Sequence, residues 1–191
     1  MKKTFLILLA SVLLFGCGEN RYSIDEVVSS GDYPNDTITY LKSDMTPLNG
    51  IVSFKYANDQ LKDERNYKDG NLDGLFRMWY KNGQLIKEAN NKDGSPDRSY
   101  RGWYENGQLK FESDYKNQLY KRWYKNGQLK SQANLNSGLD PSCHEGTPRD
   151  GLQRTWFEDG QLQYELNYKD NKLISKKEWD EEGNLITDET Y

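Results

Sequence analysis

Cys143-His144-Glu145 is the one place in this sequence where a nucleophile type, a base and a carboxylate adjoin, and His144 is the only histidine of the chain. A cysteine nucleophile needs a base, a third group that orients the base, and an oxyanion hole; a zinc site needs spaced ligands on a rigid frame. Three consecutive residues in a Gly/Pro/Ser-rich stretch offer neither, so the cluster reads as an incidental loop. Acid/base catalysis would need a carboxylate whose surroundings set it apart from the others. Here the carboxylates recur at fixed spacing beside basic residues, as solvated pairs do. No Gly-rich phosphate loop precedes a helix. The expectation is no catalytic residue, no metal ligand and no cofactor. The remaining candidates are Trp79, Trp103, Trp123, Trp156 and Trp179, all five tryptophans of the protein. Rings in a row could anchor a protein or stack on a sugar, and the alternative is packing within the repeats themselves.

Cys17 offers a different chemistry, modification. Met1-Lys2-Lys3, an apolar run from Phe5 to Phe15, and then Gly16-Cys17 form the charged, apolar and small-residue parts of an export signal, so residues 1–16 are excluded from the fold. The run is shorter than the roughly 20 residues of a membrane-spanning helix. Leu14-Phe15-Gly16-Cys17 resembles the lipobox read by the lipoprotein signal peptidase. That resemblance implies a lipidated N-terminus at Cys17, whose several acyl chains would hold the protein stably on a membrane. Gly18, where Asp is absent, implies by the same resemblance the outer membrane of a diderm bacterium. With Cys17 lipidated, Cys143 has no intramolecular disulfide partner.

Removing residues 1–16 takes Lys2 and Lys3 and no acid, lowering Lys+Arg from 26 to 24 against 30 Asp+Glu, a net charge of −6. An acidic surface argues against nucleic acid and anionic lipid as partners. Hydrophobic residues are 35% of the chain, too few for a large globular core, while 13% aromatic content argues against disorder.

The elements that must carry these residues are announced by self-similarity. Asn82-Gly83-Gln84-Leu85 recurs as Asn106-Gly107-Gln108-Leu109 and Asn126-Gly127-Gln128-Leu129, with looser copies at Asn58-Asp59-Gln60-Leu61, Asp159-Gly160-Gln161-Leu162 and Glu182-Gly183-Asn184-Leu185. The intervals between glycine slots are 24, 24, 20, 33 and 23 residues, which marks a repeat architecture. Asn-Gly between alternating residues predicts a two-residue type I′ hairpin. Numbering the glycine slot zero, that closure pairs −3 with +2, −4 with +3, −5 with +4 and −6 with +5. The tryptophans all fall at −4. Position −3 is Tyr or Phe in five copies, set against Leu at +2. Arg77, Arg101, Arg154 and Lys177 at −6 oppose Glu88, Glu112, Glu165 and Asp188 at +5. One face would then carry tryptophan beside an ion-pair ladder, with Trp103 over the Lys110 stem and Trp123 over that of Lys130. The other face would carry Tyr, Phe and Leu.

The expected fold is all-β: an elongated antiparallel single-layer meander of about six β-hairpin repeats over 46–191, after a signal helix and a lipidated tether (17–45) with a candidate capping strand at Thr37–Leu41. Residues 137–149 form an inserted loop. Gly102-Trp103-Tyr104-Glu105-Asn106-Gly107-Gln108-Leu109-Lys110, running on through Glu112 to Tyr115, resembles the bacterial MORN-repeat variant over roughly residues 50–191. Proteins of this kind often carry the label of YwqK-type antitoxins, which implies neutralising a toxin. The functional expectation is a non-catalytic, membrane-anchored interaction module of the cell envelope with a protein partner. The alternatives are an antitoxin or immunity lipoprotein, and an envelope glycan-binding protein that uses the aromatic face. Open sheet edges could also pair two copies as a homodimer.

Overall fold

A computed structural model of the protein describes residues 19–30, 38–134 and 150–191. The signal segment, Cys17, the Cys143-His144-Glu145 cluster and the whole 137–149 loop lie outside the described residues, as does Thr37.

Within the stretch before the repeats, β1 (Arg21–Ser23) leads through a short 3-10 turn (Ile24–Glu26) into β2 (Val27–Ser30), which pairs antiparallel with β3 (Ile38–Leu41) as a small separate sheet. Six hairpins follow: β4 (Gly50–Lys55) with β5 (Leu61–Lys68), β6 (Asn71–Trp79) with β7 (Leu85–Lys92), and β8 (Ser95–Trp103) with β9 (Leu109–Asp114). The array continues with β10 (Leu119–Trp123) and β11 (Leu129–Asn134), β12 (Gly151–Trp156) and β13 (Leu162–Lys169), and β14 (Lys172–Trp179) and β15 (Leu185–Thr190). These strands form one 13-stranded sheet in chain order from β4 to β15, with β1 added in parallel beside β4. A lone hairpin is marginal in water, so each unit depends on the next.

The turns differ from the two-residue expectation. Tyr80 N–H donates to the Gln84 carbonyl at 2.8 Å and Gly83 N–H donates to the Tyr80 carbonyl at 2.9 Å, with the same pair of bonds at Tyr104, Tyr124 and Phe157. This closes a three-residue loop, Lys81-Asn82-Gly83, in which only the glycine has positive φ, +84°. It is the glycine-bulge hairpin, which needs one left-handed residue where type I′ needs two. Tyrosine at −3 therefore lies opposite Gln at +1, and the tryptophan at −4 lies opposite Leu at +2: Trp79 against Leu85, Trp103 against Leu109, Trp123 against Leu129. The residue at +3 is then skipped as a second bulge, which restores the expected register at −5 and −6. Met78 meets Lys87 and Arg77 meets Glu88.

Apolar packing is concentrated at the first hairpin. Val27, Leu48 and Val52 are buried together, flanked by Tyr22, Leu41, Phe54 and Tyr67. Fully burying a side chain such as Leu48 contributes about 2 kcal/mol. Asp63 is buried nearby but paired, accepting from Arg65 Nε at 2.9 Å, and the guanidinium lies 4.5 Å from the Phe54 ring centroid. Farther along, one cross-strand row reads Phe76, Ala89, Tyr100, Ser113, Tyr120, Ala133. Large side chains lean over small ones, so Ala89 is 3% and Ser113 0% exposed although the sheet there is one layer thick. Gly102 serves the same end: the Phe111 ring occupies the space where its Cβ would stand.

Candidate interaction surface

The five tryptophans each end the first strand of a hairpin, so the repeat lines them up beside the hairpin turns as a stripe that crosses the sheet. Residues directly opposite across strands share a face, and Trp156 and Trp179 face Leu162 and Leu185 as the others face their leucines. The leucines at +2 thus join the tryptophan face, a correction to the expected division of faces that follows from the bulge. All five rings are half-buried. The stripe is a run of Trp–Leu pairs rather than tryptophan over lysine.

The lysines go elsewhere. Lys110 and Lys130 are the skipped residues of their bulges, and their ammonium groups stand 5.6 and 5.1 Å from the ring centroids of Tyr104 and Tyr124. Such cation–π contacts at exposed sites are worth about 0.5–1 kcal/mol.

Two residues toward the strand centre from the stripe, on the same face, the charges form a row interrupted only at Gln132. In register across the sheet stand Glu64, Arg77, Glu88, Arg101, Glu112, Lys121, Gln132, Arg154, Glu165, Lys177 and Asp188. Arg77, Arg101 and Arg154 donate through Nε to Glu88, Glu112 and Glu165 at 2.8, 2.7 and 2.8 Å. The expected pairing within hairpins is present, and outside Gln132 the same side chains also alternate in sign between hairpins.

The turn residues are consumed by contacts to the next turn. The phenols of Tyr56, Tyr80, Tyr104 and Tyr124 donate to the backbone carbonyls of Trp79, Trp103, Trp123 and Trp156 at 2.7–3.1 Å. Asn82, Asn106 and Asn126 donate through Nδ2 to the carbonyls of Glu105, Lys125 and Glu158 at 2.8–3.1 Å. Each asparagine also accepts from the backbone N–H two residues on, as Asn82 does from Gln84 at 3.0 Å. These inter-turn bonds were not expected from the cross-strand pattern. Their signal is the joint change of Tyr and Asn in the later copies, to Phe157 with Asp159 and to Asp180 with Glu182. The Asp180 carboxylate instead closes its own turn, accepting from Asn184 N–H at 2.7 Å, and those bonds hold it below the usual carboxylate range. Burial, with the Glu158 charge second, pushes the Tyr124 phenol up. The hydrogen bond to Glu178 does the same to Tyr164, at 2.7 Å.

Among the described residues no three His, Cys, Asp or Glu side chains converge on a metal position, and no helix is long and apolar enough to cross a membrane. A cleft of about 790 Å³ lies at the strand ends away from the tryptophan stripe, lined by Asn117, Asn134, Asp150, Tyr168, Lys169 and Asp170 among others.

The MORN repeat variant family profile matches residues 48–69, 72–93, 99–117, 119–136 and 149–170, more than half of the chain. Each matched segment spans the turn of one hairpin and most of its two strands, and β14 and β15 lie beyond the last of them. Comparison with curated proteins finds no match.

Proposed function

The chain belongs to the MORN repeat variant family, and from that premise we propose that it is a non-catalytic protein-binding module held at the cell envelope by lipid on Cys17. The observation that carries the binding part is the unbroken Trp–Leu stripe beside the alternating charge row. The polar residues of the repeat motif are spent on joining one turn to the next, so what the array offers a partner is a long surface and not a point site. An apolar stripe flanked by solvated charges is the surface composition that protein interfaces favour. Lipid at Cys17 rests on the lipobox resemblance alone, and a toxin as the partner rests on the antitoxin label alone.

Photo-crosslinking in intact cells tests the binding reading. With a crosslinker replacing Gln132, on the ladder face, a discrete protein adduct is expected that weakens in Trp103→Ala and Trp123→Ala variants which remain folded. A crosslinker replacing Ser131, on the opposite face, gives the control. Equal adducts from both faces would overturn the proposal. Binding to a glycan array that disappears in the same tryptophan variants would replace a protein partner by a sugar. The anchor is tested separately: palmitate labelling should be lost in Cys17→Ser, and labelling that persists removes Cys17 from the account. For the antitoxin form, co-expression should rescue cells from the candidate toxin.

A further inference from the structure

The charge row ends asymmetrically. Glu88 stands between Arg77 and Arg101, Glu112 between Arg101 and Lys121, and Glu165 between Arg154 and Lys177. Glu64 faces Arg77 on one side and receives Arg21 Nη1 at 2.5 Å on the other. Asp188 has Lys177 at 3.3 Å on one side and, among the described residues, no strand on the other. The same edge is apolar at its start: Leu185 is 49% and Ile186 58% exposed, whereas Leu61, Leu85, Leu109, Leu129 and Leu162 in the equivalent slot are half-buried. Tyr191 N–H donates inward to the Ile174 carbonyl at 2.9 Å, so strand alternation turns the N–H groups of Thr190 and Asp188 outward.

We propose that β15 accepts an added β-strand from a partner polypeptide that places a Lys or Arg in register with Asp188 and an apolar side chain against Leu185 and Ile186. An unpaired edge supplies the backbone bonds of strand addition, and the side-chain pockets supply the selection. The row supplies the sign: each of its other carboxylates has a cation on both sides. A second copy of β15 does not fit, because Leu185–Tyr191 contains no Lys or Arg and would bring Asp188 and Glu189 against their own kind. Arg21, at the far edge of the sheet, is already engaged by Glu64. The inference rests on the reading of the array as a polypeptide-binding module but uses a surface apart from the tryptophans of the central hairpins.

The test uses the whole chain and two fluorescent seven-residue probes of alternating Val and Thr, one with a central Lys and its twin with a central Glu. Anisotropy should show the Lys probe binding roughly fivefold more tightly, the size expected of a favourable against a like-charge cross-strand pair. Hydrogen exchange at the Asp188 and Thr190 amides should slow on binding. Asp188→Lys should reverse the preference, and Thr190→Pro, which removes an outward N–H, should abolish binding of both probes without lowering the melting temperature. Trp103→Ala should leave probe binding intact, so this inference and the stripe reading can fail separately. Equal affinity for the two probes, no binding of the Lys probe, protection of strands other than β15, or a preference unmoved by Asp188→Lys would each overturn it.

Discussion

The phenol of Tyr104 donates a 2.8 Å hydrogen bond to the backbone carbonyl of Trp123, the residue that fills the tryptophan slot of the following hairpin. The bond spans two repeats, so it reports on how the array is joined rather than on how one hairpin closes. Tyr104→Phe should lower stability by about 1 kcal/mol, the net value of a partly buried hydrogen bond. The reverse change is available one repeat after the last such bond: Phe157→Tyr supplies a phenol where the series stops, and should gain about 0.5–1 kcal/mol by bonding the Trp179 carbonyl. Urea unfolding midpoints measure both. A Phe157→Tyr protein no more stable than its parent would show that the fifth and sixth hairpins are not stacked as the earlier ones are.

The turn glycines separate conformational strain from crowding. Gly83 has φ +84° and open space where a Cβ would be, while Gly127 has φ +89° and Gln108 Oε1 at 3.0 Å from that position. Gly83→Ala should cost roughly 1–2 kcal/mol through the left-handed backbone alone. Gly127→Ala should cost more, and Gln108→Ala should recover the excess, as a double-mutant cycle can measure. Asp59, which sits in the glycine slot with φ +64°, gives the converse: Asp59→Gly should raise the melting temperature.

Why the register was legible while the turn was not follows from these same residues. Arg77 opposite Glu88 is visible as charge, and strand alternation carries that pairing along the hairpin. The three-residue loop offsets the strands by one residue, and the bulge at +3 offsets them back, so the charge pattern is identical for a two-residue turn with no bulge. Only side chains between the two irregularities betray them, namely Trp79, which meets Leu85, and Ile86, which is skipped. Asn-Gly itself does not discriminate, because both turn types place glycine at positive φ. The parallel pairing of Arg21–Ser23 with Ile51–Ser53 has no turn motif to announce it. The apolar residues that pack there, Val27 and Leu48, are too sparse to show a period. The tryptophan slot was legible as a stripe because a repeat puts like residues at like places, whatever the turn.

The charge row should behave as a series and not as isolated pairs. Arg101 Nε bonds Glu112 at 2.7 Å, with the two side chains 43% and 24% exposed, and Arg101 also stands opposite Glu88. Removing the charge in Arg101→Gln should cost up to about 1 kcal/mol, as exposed pairs do. Arg101→Glu sets three carboxylates in a line and should cost more. The difference between these two variants should shrink between about 0.1 and 1 M salt, because the Debye length falls from about 10 to 3 Å. A difference that salt does not change would mean that Arg101 acts by packing its stem and not by its charge.

Stability should form a plateau bounded by two groups of side chains shifted in opposite directions. On the acid side, Asp114 is held below the usual carboxylate range by bonds from Asn117 N–H and Nδ2, and Asp180 by those from Asn184. A depressed carboxylate stabilises fully above its unfolded value, about 4, and the contribution is lost as pH falls through the folded value. On the alkaline side, burial pushes the Tyr120 phenol up, and the bond to Glu178 pushes up that of Tyr164. A raised phenol stabilises fully below its unfolded value, about 10, and that contribution disappears as pH rises through the folded value. Urea midpoints should therefore be level between about pH 5 and 9 and fall on either side. Tyr120→Phe removes the ionisation of the phenol that burial raises, so its midpoint should fall less steeply from about pH 9.5 to 11 than that of the parent. Asn117→Ala should in turn flatten the acid limb, since it withdraws the side-chain donor from Asp114. An alkaline slope unchanged in Tyr120→Phe would show that the Tyr120 phenol is wet, and that the large-over-small row of Tyr100, Ser113 and Tyr120 does not exclude water.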